Sequence, residues 1–492
     1  MTGKTVLALV AAALISIVAG APALADGQYD PGASDEAIKI GNTNPYSGPA
    51  SPYGTIGKTI SAYFDMINEQ GGINGRRIDF ISLDDGYSPP KTVEQVRKLV
   101  EQEEVLLLFN LLGTPTNTAV HRYVNAKKIP HLFLATGASK FGQPEKFPWT
   151  MGFAPTYSTE GKAFAKYVLA NVDEPKVGVL YQNDDYGKDF LDGFKAGLGA
   201  LADKVIIAEE AYEVTDPTVD SQIVSLKASG ANVFYSITGA KQAAQAIRKA
   251  HDIGWRPLYL LNYVATSKRA VLEPAGLAKA KGIISAQFLK DPNDPGEDVE
   301  AYRAFMAKYY PGGDPDEGLN PYGYAVAFTM THVLELAGDN LTRANIMKQA
   351  ASIDKLVVPM LVDGITVSTG PDDFYPPRNP GPDPLRRRKL DPVRRAHHHG
   401  VGPGPFIRDL LYAADTSAGF QRANLRCSSY RSTAFCRFIQ NLPVVPSTLA
   451  KRTAVSAVIR TPGRALTMPL TCFRLNSVSS AKRVIVSPRV SR

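Results

Sequence analysis

The chain has 492 residues, too many for one ordinary core, so two or more domains are expected. A formal net charge of +8 invites a nucleic-acid partner, yet from Pro377 to Arg492 there are 21 Lys and Arg against 4 Asp and no Glu, while residues 1–376 carry 34 basic and 43 acidic side chains. The body is acidic, which excludes a broadly basic nucleic-acid surface there, and with Cys427, Cys436 and Cys472 all in the tail no disulfide holds it.

Lys4 and the apolar run Val6 to Val18 precede a small-x-small site at Ala23-Leu24-Ala25, the pattern of an export signal cleaved near Ala25. No later apolar run reaches 18 residues, so the mature chain is expected to be soluble and exported, with no integral membrane segment.

Ala37 to Asn42 reads as a strand opening into the turn cluster Asn44 to Pro49. Ile56 to Gln70 is an amphipathic helix on Ile56, Ile60, Tyr63, Phe64 and Ile67, stopped by Gly71-Gly72. Ile78 to Leu83 is a strand, and Thr92 to Glu101 a helix. The apolar run Val105 to Phe109 then feeds the loop GTPTNT, a helical segment, a second run at His131 to Leu134, and the turn Thr136-Gly137-Ala138-Ser139. Both hydroxyl-rich loops follow strands, and so lie at the carboxyl edge where open α/β sheets bind ligands. Thr114, Thr116, Thr136 and Ser139 are placed there to hold a small anionic group.

Thr150 to Phe153 is a strand and Ser158 to Ala170 a helix with Glu160 in its first turn. A second alternating series has strands at Val177–Tyr181, Val205–Ala208, Val233–Ile237 and Leu258–Leu261, with helices between them. Ile283 to Phe288 is strand-like. Helices follow near Asp298–Tyr309, Tyr322–Ala337 and Thr342–Ala351, and a last strand at Val362 to Val367. Two consecutive alternating blocks predict an α/β protein of two doubly wound lobes.

The segments NPYSGPASPYG (44–54), NEQGGINGRR (68–77), the GTPTNTA and ATGAS loops, YQNDDYGKDF (181–190) and GITVSTGPDDFYP (364–376) resemble the leucine/isoleucine/valine-binding family of periplasmic substrate-binding proteins, across residues 35–376. The resemblance implies a type I periplasmic binding fold: two Rossmann-like lobes joined by three crossover hinges, placed near Phe153–Thr156, Lys279–Gly282 and Met360–Gly364. The first lobe is expected to comprise 33–153 plus 283–359, the second 154–282 plus 360–376. It also implies a small-molecule solute held in the cleft, delivery to an ABC importer permease, a periplasmic location, and no enzymatic step or cofactor.

Thr114 and Ser139, with the Gly137 and Ala138 backbone, match positions that hold a ligand carboxylate in that family, and a buried carboxylate needs several donors. Thr136 is a further candidate. Tyr53 and Tyr186 match aromatics that cover the ligand from either lobe, and Tyr46 and Ser47 share the first of these loops. Asp184 reads as a helix N-cap. Amino-acid-binding members place an acid after the strand at Leu258–Leu261 to pair an ammonium group. Here that stretch reads Leu261-Asn262-Tyr263-Val264, so within the expected class of a small amino acid or organic carboxylate the residues favour an organic acid, aromatic ones included, with Asn262 and Tyr263 as neutral contacts.

After Pro376 periodicity fades, and 377–492 reads as a disordered basic tail. Leu385 to Arg394 can be encoded so that reading one nucleotide later gives FDGESWTPFG, with RLETLALIR before it, the ending expected of the family. The tail is thus read as out of frame from about Pro376. The second lobe's sheet is then expected to lack its closing strands and to leave an unpaired edge.

Three decoys are set aside. Tyr53-Gly54-Thr55-Ile56-Gly57-Lys58-Thr59 lacks the first glycine of a phosphate loop. His397-His398-His399 offers no preformed metal site. The Arg-rich tail could contact nucleic acid only non-specifically, so no nucleic-acid partner is assigned. A ligand-sensing receptor or regulator on the same fold is the alternative function.

Overall fold

The computed structural model describes residues 27–378, 386–389, 456–461 and 464–469, so the export segment and most of the tail lie outside the described residues. The chain divides into two units, residues 1–399 and 400–492.

In the first unit, one sheet contains β2 (Ala37–Asn44), β3 (Arg77–Asp84), β4 (Leu107–Phe109), β5 (His131–Leu134) and β6 (Thr150–Gly152), in the order β3-β2-β4-β5-β6 and parallel throughout. The helices between are α1 (Thr55–Glu69), α2 (Pro89–Glu101) and α3 (Thr114–Ala126). α1 buries Ile56, Ile60, Tyr63 and Phe64 on the expected face. α2 starts three residues before the expected Thr92, because Pro89 and Pro90 fit the first turn, where a missing N–H costs nothing. A short parallel pair outside the sheet joins β1 (Gln28–Tyr29) to β12 (Asn340–Leu341).

The chain leaves β6 through residues 153–156 and enters α4 (Tyr157–Asn171), the first helix of a second sheet. That sheet holds β7 (Val177–Gln182), β8 (Ile206–Tyr212), β9 (Val233–Ile237), β10 (Leu258–Leu261) and β11 (Ile284–Gln287). α5 (Asp185–Leu198), α6 (Asp220–Ala228) and α7 (Ala240–Asp252) connect them. The strand order is β11-β10-β9-β7-β8, all parallel, with one further strand on the β11 edge. α8 (Glu297–Tyr309), α9 (Leu319–Ala337) and α10 (Arg343–Ala350) follow, and α8 and α9 pack on α1 of the first lobe.

Three expectations are corrected. Residues 283–287, expected in the first lobe, form β11 and pair with β10 in the second, so the second crossing lies after Gln287 and not at Lys279–Gly282. Residues 365–375, expected in the second lobe, fold back on the first. β13 (Thr366–Val367) lies beside Leu356, the Thr369 hydroxyl caps the Ala350 carbonyl at 2.7 Å, and Tyr375 donates to the Ser139 carbonyl. β13 then pairs with β14 (Pro377–Arg378), so the third crossing falls beyond Arg378. Finally, the β11 edge is not left bare: β15 (Arg386–Lys389) adds to it antiparallel, with Ile284 opposite Lys389. An exposed strand edge offers a row of free backbone groups, and a basic strand can satisfy them as an apolar one does.

In the second unit the described residues form a hairpin of β16 (Ser456–Thr461) and β17 (Arg464–Pro469), and the rest of the expected disordered tail lies outside the described residues.

Candidate functional site

A pocket opens between the two lobes at the carboxyl ends of their strands, as expected for doubly wound sheets. From the first lobe it is lined by Tyr53, Tyr87, Gly113, Thr114, Thr136 and Tyr322, among others. Tyr157, Gln182, Tyr186, Gln242, Tyr263 and Phe288 line it on the other side. None of the lining side chains is charged.

Local structure explains how these side chains arrive. Tyr53 sits in a one-turn helix, Ser51–Gly54, that leads directly into α1. Gly113 caps α3 with φ +103, and a Cβ there would overlap the Tyr87 ring, so only glycine lets the two loops close up. Tyr87 itself has φ +59, an uncommon backbone state for an aromatic residue. The Asp184 side chain accepts from Tyr186 N at 2.9 Å and Gly187 N at 3.3 Å, starting α5 and setting Tyr186 in its first turn.

The polar groups are mostly satisfied within the protein. Thr114 Oγ1 and Thr136 Oγ1 are 2.7 Å apart, and Ala138 N donates to Thr136 Oγ1 at 3.2 Å. Ser139 N and Ser139 Oγ both donate to Asp189 Oδ2 at 3.0 Å, across the cleft. The Tyr186 hydroxyl donates to Asn262 Oδ1 at 2.9 Å and the Thr238 carbonyl at 3.1 Å. Tyr263 donates its hydroxyl to the Pro155 carbonyl and its backbone N–H to Glu160 Oε2, each at 2.9 Å. Tyr53 reaches the Val264 carbonyl at 3.3 Å, a further bond between the lobes. Burial pushes the Tyr157 phenol up to about 12 and the Glu160 carboxyl up to about 8, so both are neutral at pH 7.

Of the residues singled out from sequence, Tyr53, Thr114, Thr136, Tyr186 and Tyr263 line the pocket. Gly137, Ala138, Ser139 and Asn262 do not. Asn262 stands behind Tyr186 and fixes its hydroxyl, while its amide donates to the Ser236 and Thr238 carbonyls. Tyr46 and Ser47 turn to Ser82 and Asp84. Sequence reasoning missed Tyr87, Tyr157, Gln182, Gln242, Phe288 and Tyr322. A rule of inspecting the residues just past each strand end would have found Tyr87, Gln182 and Phe288; Tyr322, on a helix far along the chain, carries no such signal.

The sequence profile of the periplasmic binding protein family matches residues 37–374. A Leu/Ile/Val-binding protein homolog 1 of Brucella abortus is 26% identical over 305 residues, covering 62% of this chain and 79% of that protein. An amino acid binding protein of Pseudomonas aeruginosa is 23% identical over 306 residues, with the same coverages. Among solved structures, a branched chain amino acid ABC transporter protein of Thermus thermophilus with bound valine superposes with a TM-score of 0.64 at 14% identity, over 70% of this chain and 92% of that one. A fatty acid ABC transporter substrate-binding protein of Thermomonospora curvata gives 0.61 at 22%, over 72% and 86%. No helix among the described residues is long and apolar enough to cross a membrane. With a type I binding fold and a solute-sized cleft between its lobes, the chain belongs to the periplasmic binding protein family, a family of substrate-binding proteins and not of enzymes.

Proposed function

We propose that this protein is the solute-binding component of an ABC importer, exported with cleavage near Ala25, that captures a small, largely apolar solute between its lobes and delivers it to the permease. The observation that carries this reading is the uncharged, tyrosine-rich lining contributed by both lobes, with the Thr114–Thr136 hydroxyl pair as its polar end. A pocket lined from both lobes buries a small ligand from both sides, and aromatic walls favour a flat or branched apolar body. An α-ammonium group would be buried with no carboxylate lining the pocket to pair it, which disfavours zwitterionic amino acids. Acids close to the lining tyrosines are committed elsewhere: Asp184 caps α5, Glu317 accepts from Ser267 and Leu319, Glu160 accepts from Tyr263 and Tyr235, and Asp189 accepts from Ser139.

A thermal-shift screen of the full chain tests this. A ligand that binds only the folded state raises its stability by about 2.7 kcal/mol at a hundredfold excess over Kd. Apolar solutes without an ammonium group are expected to raise Tm. A rise with leucine, isoleucine and valine but not with such solutes overturns the ligand reading.

A further inference from the structure

We propose that Asp189 serves as a built-in carboxylate, filling the anion-reading turn of the first lobe and so restricting the cleft to uncharged aromatic or apolar solutes. The inference rests on the importer reading above and names its substrate class.

The turn after β5 has the makings of a carboxylate site: the Ser139 backbone N–H and hydroxyl converge on a single oxygen, each at 3.0 Å. Two donors on one carboxylate oxygen are what a bound acid would receive. Here the oxygen belongs to Asp189 of α5, in the opposite lobe. The neighbouring Lys140 reaches Asp185 of the same helix at 2.5 Å, so the two lobes meet through two adjacent acid–donor contacts. Ala138 N, the next donor along, is spent on Thr136 Oγ1. A ligand carboxylate would have to displace Asp189 to use this turn, and would bring a second negative charge beside it.

What remains for a ligand is neutral. The bond between Thr114 and Thr136 uses one of their two hydroxyl hydrogens, the other faces the Tyr157 phenol, and no lysine, arginine or histidine lines the pocket. A carbonyl or hydroxyl is satisfied by one or two neutral donors; a buried carboxylate is not. The walls suit a ring: Tyr157 lies edge-on to Tyr186 at 5.1 Å between centroids, and Tyr263 edge-on to Phe288 at 5.5 Å, so a flat body can join an existing aromatic array. Burial also raises the Asp189 pKa, opposed by its bonds to Ser139.

The test is calorimetric titration of the full chain with benzamide, with benzoate as its anionic isostere, and with leucine. The expected result is binding of benzamide at least about tenfold tighter than of benzoate. In Asp189→Ala the freed Ser139 donors are expected to cut that ratio by about tenfold or more, chiefly by gain of benzoate binding. Asp189→Asn keeps the side-chain shape and an acceptor but removes the charge, and is expected to fall between the two. Tighter benzoate than benzamide on the unsubstituted chain, or one ratio in all three proteins, overturns the inference. Binding of leucine alone overturns it too but leaves the importer reading standing, whereas failure of all three probes removes both.

Discussion

Glu160 accepts the backbone N–H of Tyr263 through Oε2 at 2.9 Å, from a position with no exposed surface, while its Oε1 accepts the Tyr235 hydroxyl at 3.2 Å. One buried carboxyl on the first turn of α4 thus fixes the backbone of an aromatic residue that lines the cleft. Burial raises the Glu160 pKa from an ordinary 4.5 to about 8, with the two hydrogen bonds opposing the rise. Between those limits the unfolded chain has lost a proton that the folded chain keeps. Stability from this group is therefore full below pH 4.5 and is lost as pH rises to about 8, by on the order of 4 kcal/mol. Chemical denaturation from pH 6.5 to 8, above the histidine range, is expected to show this decline, and Glu160→Gln to flatten it, at the cost of one acceptor. An unchanged slope in the variant contradicts the assignment.

His131, at the start of β5 in the first sheet, has two ring nitrogens with no hydrogen-bond partner among the described residues, and His121 has one. Burial, aided by Lys140 and Arg122, lowers the His121 pKa to about 4, and burial holds His131 well below 6.5. Both stay neutral in the fold while the unfolded chain takes up protons below pH 6.5. Stability is expected to be full above that pH and to fall toward pH 4. His131→Leu should shift the acid-unfolding midpoint downward, as read by tryptophan fluorescence.

Gly113→Ala forces a Cβ into the Tyr87 ring at φ +103. A loss of about 1–3 kcal/mol is expected in denaturant titration, together with weakened binding of any cleft ligand, because the two loops that meet there both line the pocket.

Tyr186→Phe removes a hydroxyl that donates to Asn262 and to the Thr238 carbonyl inside the second lobe. The expected cost is about 0.5–1.5 kcal/mol of stability, since one shared proton is lost while Asn262 Oδ1 still accepts from Val264 N and the Thr238 carbonyl from the Asn262 amide. Asn262→Ala should cost a similar amount, and the double variant less than the sum of the two, because the residues share one network. Full additivity in a double-mutant cycle would show that Asn262 does not act through Tyr186.

The β11 edge offers a test of the tail. Reading one nucleotide later from about Pro376 replaces Arg-Arg-Arg-Lys and the residues before it by RLETLALIR and FDGESW, whose apolar run LALI is a better strand than the present Pro-rich sequence. A chain with the restored frame is expected to melt several degrees higher, each 1 kcal/mol moving a domain of this size by roughly 2–4 °C. Equal melting of the two chains counts against the shifted frame, and the nucleotide sequence of the gene decides it directly.

The order of helices and strands was legible because periodicity, Pro89-Pro90, Gly71-Gly72 and the Asp184 cap are local: hydrogen bonds and buried faces recur within a few residues. The same locality placed Thr114, Thr136, Tyr53 and Tyr186 just beyond strand ends, where a doubly wound sheet exposes its loops. What packs around the cleft is not local. That Ser139 meets Asp189, that Asn262 backs Tyr186, and that Tyr322 of α9 reaches the pocket all depend on pairings 50, 76 or more residues apart. The lobe that β11 joins was equally hidden, because an apolar run satisfies either sheet and only the free edge of β10 selects one. Sequence therefore sufficed for the kind of cleft this chain builds, while long-range packing decided which donors in it remain free for a ligand.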